Sequence, residues 1–325
     1  MHITNKNNVS LPLAVWLIDD NYDYNQDPTY ISVTKLMRPL KHLVLPPRIM
    51  PTERPVPDVE DYIARALGHS LHDSIEKAWV KNYRRSLELL GYPAGIIDRV
   101  QINPADDELT EDSIPVYIEQ RAVREFANRK IGGKYDMVAE GAVNDNKSTS
   151  AFTWLYGGRD DEHKLQGSLY RWIDAAQPVP KITEDYIRIN YIFTDWQKTA
   201  ARTNPKYPQT RVAHKDIPLM TLQETEDWVS WKLAMIEKYR NAREADIPDC
   251  TDEELWMSEP SHKYYSDPSK TSGRSTKNFT DLAEANLHRA NAGKGIVITV
   301  PGEAKRCAYC EAFPICEQKN RYAQP

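Results

Sequence analysis

The sequence has few cysteines, little glycine and no long apolar segment. Glycine (13) and proline (22) together account for 35 of 325 residues, below the level typical of low-complexity or collagen-like chains. No stretch approaches the roughly 18 apolar residues needed to span a bilayer, and the first twenty residues lack the basic and apolar regions of a signal peptide. These absences argue against fibrous, disordered and membrane classes, and predict an intracellular, cytoplasmic protein without a membrane partner.

Neither sign of charge dominates the composition. Lysine and arginine number 42 against 47 acidic residues, so the formal net charge is −5, and 40% of the residues are apolar. This balance is typical of a soluble globular chain with enough length for about two domains. It argues against indiscriminate binding of nucleic acid but permits a local basic groove.

The order of periodic segments predicts an α/β fold. A four-residue apolar spacing from Ile63 to Trp79 indicates a helix over residues 59–90, broken near Gly68 and capped by Gly91. Strand patterns then cover residues 114–122, 134–139, 142–149 and 185–196, with helical patterns at 160–175 and 222–243. Helices that alternate with strands in this order favour a central mixed β-sheet flanked by helices.

Changes in composition suggest three regions. Residues 1–55 are rich in Pro, Asn and Asp and contain one short extended segment at 30–34, which predicts an N-terminal extension. Residues 56–245 form the expected α/β core, and 246–325 form a cysteine-bearing region packed on it. Within that last region we expect a mobile polar loop over 258–280 and a short helix over 281–290.

One predicted hairpin brings two carboxylates together. If Glu140 and Gly141 form a two-residue turn, Asp136 lies opposite Asp145, and Lys147 follows on the same face. Like charges in such a cross-strand pair are destabilising unless something compensates them. A divalent cation with oxygen ligands would do so. The alternative is a surface hairpin in which Lys147 forms an ion pair with Asp145.

Several motifs in this order resemble the PD-(D/E)XK nucleases, specifically the RecB-like branch. Residues 132–136 (GGKYD) and 145–147 (DNK) match the family's paired acids and lysine. Residues 68–72 (GHSLH) resemble the helical motif whose histidine binds metal, which assigns that role to His72. Residues 166–170 (QGSLY) resemble the Q-x-x-x-Y motif. Gln166 and Tyr170 share one helix face because they are four residues apart.

The resemblance implies a restriction-endonuclease-like core and a metal-dependent active site. Asp136, Asp145 and His72 would hold Mg²⁺ or Mn²⁺, with the backbone carbonyl of Asn146 as a further ligand. Glu119 resembles an additional acid that precedes the hairpin in relatives. Lys147 would orient the attacking water, and the residues of the Q-x-x-x-Y motif would position the nucleic-acid strand. Basic side chains that are candidates for phosphate contacts are Lys81, Arg84, Arg85, Arg121, Arg124 and Lys134.

The four cysteines are grouped in a way that favours a metal site. Cys307, Cys310 and Cys316 lie within ten residues, and Cys250 is the one further cysteine of the chain. Their spacing fits either zinc or an iron–sulfur cluster. The arrangement resembles iron–sulfur members of the same superfamily, which implies a [4Fe–4S] cluster, with Zn²⁺ as the alternative. In those relatives the distant cysteine usually precedes the histidine motif, whereas here it follows the catalytic motifs.

The function implied by the resemblance is hydrolysis of DNA phosphodiesters. The chain as a whole resembles phage-encoded nucleases, which implies an exonuclease in DNA recombination, repair or processing. Its expected partners are single-stranded DNA or duplex ends, with a helicase or annealing protein as a further possibility. Two alternatives stay open: a nucleic-acid-binding or assembly protein that keeps the fold without turnover, and a nuclease directed at RNA.

Overall fold

The computed structural model describes residues 2–20, 23–156 and 159–322. The helices of these residues are α1 (Leu11–Ile18), α2 (Val33–Leu36), α3 (Leu40–Val44), α4 (Ile63–Leu89), α5 (Ala94–Ile97), α6 (Ala151–Tyr156), α7 (Asp160–Asp174), α8 (Lys198–Thr203), α9 (Leu222–Tyr239) and α10 (Leu282–Ala292). The strands are β1 (Tyr30–Ser32), β2 (Val100–Ile102), β3 (Ile114–Phe126), β4 (Arg129–Ala139), β5 (Ala142–Thr149), β6 (Tyr186–Phe193), β7 (Val212–Pro218), β8 (Ser261–Tyr265), β9 (Lys277–Phe279) and β10 (Ile296–Val300).

The chain divides into two units whose boundaries differ from the expected regions. The first unit contains residues 1–37 and 56–234, and the second contains 38–55 and 235–325. The expected N-terminal extension is therefore shared between them. Residues 38–55 belong to the second unit because Val44 and Leu45 form a buried apolar cluster with Ile247 and Ala312. Composition alone does not reveal such a long-range contact.

A mixed sheet forms the centre of the first unit. Its strands follow the order β2-β3-β4-β5-β6-β7, and β1 pairs with β4 beyond the end of β5. The pairs β2–β3, β5–β6 and β1–β4 are parallel, whereas β3–β4, β4–β5 and β6–β7 are antiparallel. The predicted α/β architecture with a mixed central sheet is confirmed.

Two helices pack on this sheet and position the residues of interest. On α4, Ile75 and Trp79 contact the buried side chains of Val116 and Ile118 on β3. On α7, Leu169, Trp172 and Ile173 are buried, and the helix packs against β3, β4 and β6. Burying a large apolar side chain contributes about 1.5–3 kcal/mol, so these contacts anchor both helices to the sheet.

The helix α4 is more regular than expected and begins at Ile63, four residues later than predicted. It runs without interruption through Gly68, so the predicted break at this residue is wrong. No neighbouring atom lies within 4 Å of a Cβ built on Gly68, so no contact forces the helix to bend there. The helix ends at Leu89, and Gly91 adopts φ +83° just beyond it, as expected for a glycine cap.

The strands β3 and β4 extend further than predicted and meet in a second tight turn. Ala127 and Asn128 both have positive φ values of 47° and 59° and join Phe126 to Arg129. Two consecutive residues with positive φ are typical of a type I′ hairpin turn. The turn was missed because alanine carries none of the usual turn signal.

The second unit contains a smaller sheet where a mobile loop was expected. Strands β10, β8 and β9 form an antiparallel sheet in that order, and α10 contacts all three. The expectation of a loop over 258–280 is therefore wrong, because β8 and β9 are short and polar and gain their stability from non-local pairing. The helix expected at 281–290 is confirmed, with Asp281 as its N-cap. Of the helices in the described ranges, none has the length and apolar character required to cross a bilayer.

Candidate functional site

The predicted hairpin forms with the expected register. Glu140 (φ 52°) and Gly141 (φ 77°) make the turn, and the pairs Ala139–Ala142 and Val138–Val143 are present. The ladder ends at Met137 and Asn144, one pair before the two aspartates. The side chains of Asp136 and Asp145 nevertheless influence each other's protonation, so the structure brings the two predicted carboxylates together.

Asp145 is a buried carboxylate with one oxygen that lacks a partner. The residue is 3% exposed and lies on β5, between β4 and β6. Its Oδ1 atom is 2.8 Å from Nζ of Lys147, whereas its Oδ2 atom has no hydrogen-bond partner among the described residues. Burial raises the pKa of Asp145 to about 6, and the neighbouring Asp136 adds to this against the opposing charge of Lys147. A buried oxygen without a partner is energetically costly, which is consistent with a ligand position for a cation.

His72 contacts the second aspartate from the helix. Nδ1 of His72, on α4, lies 3.0 Å from Oδ2 of Asp136. This hydrogen bond raises the pKa of His72. Burial acts to raise the pKa of Asp136, but the bond to His72 and the charges of His72 and Lys147 outweigh it and lower that pKa. The backbone N–H of Asn146 also points toward Asp136 Oδ2, at 3.4 Å.

Glu119 joins the same cluster because the strand β3 is distorted at this residue. Its φ is +55°, and the β3–β4 ladder skips the pair Glu119–Asp136 although the register is the same on both sides. Ligand atoms of His72, Glu119 and Asp136 all lie within 4.8 Å of one another. Glu119 is also paired with Nζ of Lys134. The sequence did not determine on which face of β3 the side chain of Glu119 lies. The local distortion of the strand decides it.

The donor set of this cluster fits a hard divalent cation. Carboxylate oxygens with one imidazole nitrogen are typical ligands of Mg²⁺ and Mn²⁺. Glu76 and Asn146 line the same small cleft as His72, Glu119 and Asp136. Asp145 is outside the group of ligand atoms that lie within 4.8 Å of one another. Its carboxylate nevertheless interacts with that of Asp136, and its Oδ2 atom has no hydrogen-bond partner among the described residues. The described residues could therefore hold a metal through three side chains, with Asp145 as a fourth.

Gln166 and Tyr170 form a hydrogen-bonded chain against β4. Nε2 of Gln166 donates to the hydroxyl of Tyr170 at 3.2 Å, and that hydroxyl donates to the backbone carbonyl of Lys134 at 3.2 Å. Tyr170 is 6% exposed, and its ring fills the space above Gly133. The pair lies beside the strand that carries Asp136, and its hydrogen-bonded chain ends on the backbone of that strand.

A buried histidine next to this motif was missed in the sequence. His163 lies on α7, three residues before Gln166 and seven before Tyr170, which places it on the same helix face. It is 4% exposed, packs 6.4 Å from the ring of Tyr191, and its Nδ1 atom has no hydrogen-bond partner within the described ranges. Burial and the charge of Lys147 lower the pKa of His163 to about 4. The helical spacing was the signal that could have identified it.

Several of the basic side chains considered for phosphate contacts are paired with acids or with the backbone. Arg124 lies 4.0 Å above the ring of Trp172 and forms a 2.7 Å ion pair with Glu226. Arg84 pairs with Asp98 at 2.8 Å. The other two in this group are Arg121, which donates to the carbonyl of Asp23, and Lys134, which pairs with Glu119. For Arg124 in particular, the structure assigns a packing role.

The four cysteines lie in the second unit, and none forms a disulfide. Cys250 and Cys307 contact one apolar cluster, whereas Cys310 and Cys316 pack against another. Burial raises the pKa of Cys250 to about 12 and that of Cys310 to about 11, and the sulfur of Cys316 adds to both shifts. The thiols are therefore close enough to influence one another, and a bound cation would be needed to hold Cys250 and Cys310 as thiolates at neutral pH.

Comparison with known proteins gives little further information. No protein-family model matches the chain, and no curated protein matches it. A solved structure, the crystal structure of SSO0001, is similar over 71% of this chain and 85% of that chain, with a TM-score of 0.42 and 15% sequence identity. A likeness this distant does not indicate a function.

Proposed function

We propose that this protein is a metal-dependent DNA nuclease of the PD-(D/E)XK type with a restriction-endonuclease-like core. The observation that carries the proposal is the convergence of Asp136, Asp145, His72 and Lys147 from β4, β5 and α4. A buried pair of carboxylates with an unpartnered oxygen is costly without a cation, and the neighbouring ammonium suits an anionic substrate.

The side chains of the cluster have separate tasks in this proposal. His72, Glu119, Asp136 and Asp145 would hold Mg²⁺ or Mn²⁺, and the carbonyl of Asn146 is a further ligand by resemblance. When bound, the metal supplies Lewis-acid activation of the phosphate and lowers the pKa of a coordinated water.

Lys147 provides the positive charge next to this group. Its Nζ atom is held 2.8 Å from Asp145. From there it would orient the water and neutralise charge that accumulates on the phosphate in the transition state.

The Q-x-x-x-Y residues support the site from the side of α7. Through the bonds from Gln166 to Tyr170 and from Tyr170 to the carbonyl of Lys134, they fix the part of β4 that leads to Asp136. In this proposal they position the strand that carries the catalytic acid. A contact with the nucleic acid, as the resemblance implies, is the additional role we propose for Gln166.

The test is the degradation of labelled DNA by the purified protein in Mg²⁺ or Mn²⁺. We expect Asp145→Asn and Lys147→Ala to lower the rate by at least about 100-fold, the scale of losing one preorganised electrostatic contact. Asp216→Asn is the matched control, because Asp216 forms an exposed ion pair with Arg188 on β6 and β7. Equal rates in all four proteins would reject the site.

The substrate and the mode of cleavage are tested in the same assay. Linear and circular DNA distinguish an exonuclease, which we expect, from an endonuclease, and matched RNA and DNA oligonucleotides test the sugar preference. Tight DNA binding without product in any divalent metal would favour the alternative of a silent binding protein on this fold.

We also propose that the four cysteines bind a resident metal centre, a [4Fe–4S] cluster in preference to zinc. Four thiolates can hold either a tetrahedral zinc ion or a [4Fe–4S] cluster. The preference for the cluster rests on the resemblance described above. Metal analysis and the visible absorption spectrum of anaerobically purified protein distinguish iron with sulfide from zinc, and the absence of both would reject the centre.

A further inference from the structure

A histidine from the N-terminal part of the chain contacts one of the four cysteines. Nε2 of His42, on α3, lies 3.1 Å from Sγ of Cys310, although the two residues are 268 positions apart. This separation is within hydrogen-bonding distance for sulfur. In the tautomer that carries its proton on Nε2, the imidazole donates to the sulfur atom.

The helix that carries His42 is fixed by a buried lysine next to it. The side chain of Lys41 is 3% exposed, and its ammonium lies 2.6 Å from Glu244 and 2.8 Å from Asp249. Removing one partner from a buried ion pair is strongly destabilising, so this group holds α3 in place.

Apolar packing secures the other end of α3. Val44 and Leu45 are buried in the cluster with Ile247 and Ala312, and Cys310 and Cys316 pack against that same cluster. The position of the imidazole beside Cys310 thus follows from contacts on both sides of His42.

A hydrogen bond to the sulfur of Cys310 would affect a metal bound to that sulfur. A thiolate keeps much of its negative charge when it binds a metal, and hydrogen bonds to the sulfur stabilise that charge and tune the metal. The contact from His42 supplies such a donor to one of the four cysteines, Cys310.

We propose that His42 is a positioning residue of the cysteine metal centre, where its Nε2–H donates to the sulfur of Cys310 and slows release of the metal. The inference rests on the metal centre proposed above and is independent of nuclease activity. It assigns a function to a residue that no motif of the sequence singles out.

The experiment compares two amides that differ in reach. In His42→Gln the amide nitrogen occupies a place similar to Nε2 and keeps the hydrogen bond to Cys310. In His42→Asn the side chain is shorter, so its amide nitrogen does not reach the sulfur and the bond is lost. His288→Phe is the control, because His288 belongs to the same unit and contacts Tyr264 and Phe279. Full-length proteins are purified anaerobically, their metal content is measured, and the loss of metal to excess chelator is followed by absorption.

We expect the Asn variant to lose its metal about 10- to 100-fold faster than wild type, the range by which loss of a hydrogen bond to a metal ligand usually weakens metal affinity. The Gln and Phe variants should stay close to the wild-type rate. Equal release from the Asn variant and wild type would overturn the role of His42, and so would equally fast release from Asn and Gln. A wild-type protein without stoichiometric metal would contradict both the proposed metal centre and the role of His42. An absence of nuclease activity would contradict neither.

Discussion

Glu119 lies opposite Asp136 across β3 and β4, at the place where the ladder between these strands is interrupted. The register is unchanged on either side, with Ile118 opposite Met137 and Gln120 opposite Tyr135. Glu119 has a left-handed φ of +55° that only glycine adopts without cost. Such strain is found at functional sites, where a local distortion aims a side chain that regular alternation would place elsewhere.

This strain predicts that two substitutions at Glu119 differ in their effect on stability but agree in their effect on metal binding. Glu119→Gly should stabilise the metal-free protein relative to Glu119→Gln by about 1 kcal/mol, because glycine tolerates the positive φ. Both variants should bind Mn²⁺ about tenfold or more weakly, since both lack the carboxylate. Thermal unfolding in EDTA and metal titration measure the two effects. Wild-type affinity in the Gln variant would exclude Glu119 as a ligand.

The raised pKa of Asp145 predicts a pH-dependent change in stability. Because its folded pKa of about 6 exceeds the usual value of 3.8, the folded state holds the proton more tightly than the unfolded state. Ionisation therefore costs stability, increasingly from about pH 4 to 6 and fully above pH 6. Without metal, Asp145→Asn should be more stable than wild type at pH 8, on the order of 1 kcal/mol, and this advantage should vanish toward pH 4.

Thermal unfolding at several pH values in EDTA checks this expectation. Added Mg²⁺ should then stabilise wild type more than the Asn variant, because the carboxylate is available to the cation only in wild type. If the stability difference between Asp145→Asn and wild type is the same at pH 4 and pH 8, the carboxyl of Asp145 does not have a raised pKa.

The close approach of Gly133 to Tyr170 predicts a steric effect. A Cβ at residue 133 would lie 2.5 Å from the Tyr170 ring and 3.1 Å from Val33. Gly133→Ala should therefore destabilise the protein by about 1–3 kcal/mol and weaken activity through displacement of the ring. Gly95→Ala is the control, because no atom lies within 4 Å of its Cβ position. Chemical denaturation of both variants tests this, and equal stability would show that the ring moves freely.

Arg124 is predicted to stabilise the fold without contributing to DNA affinity. Its guanidinium stacks on Trp172, pairs with Glu226 and donates to the carbonyl of Trp172 at 3.0 Å. Arg124→Ala should lower the free energy of unfolding by about 1–3 kcal/mol, because a charge-assisted hydrogen bond and a cation–π contact are lost. Arg85→Ala, on the exposed side of α4, is the control. DNA titrations at several salt concentrations should show the same slope for Arg124→Ala as for wild type, and a reduced slope would indicate a phosphate contact.

Local interactions made much of the candidate metal site predictable. The Glu140–Gly141 turn sets the register of β4 and β5, and from it follow the meeting of Asp136 with Asp145 and the position of Lys147. The four-residue spacing on α7 likewise places Gln166 next to Tyr170. In each case a turn or a helical period connects residues that are near in sequence, so the relationship is contained in the order of the amino acids.

Contacts between distant segments decided the rest. The approach of His72 to Asp136, the reorientation of Glu119 and the position of His42 beside Cys310 each depend on how separate elements pack. The short strands β8 and β9 also form only through pairing with each other and with β10. The sequence by itself determined the turns, the helices and the pair of aspartates, because these depend on local backbone preference and periodicity. Tertiary structure alone decided which side chains complete the two candidate sites, because burial and long-range packing set those distances.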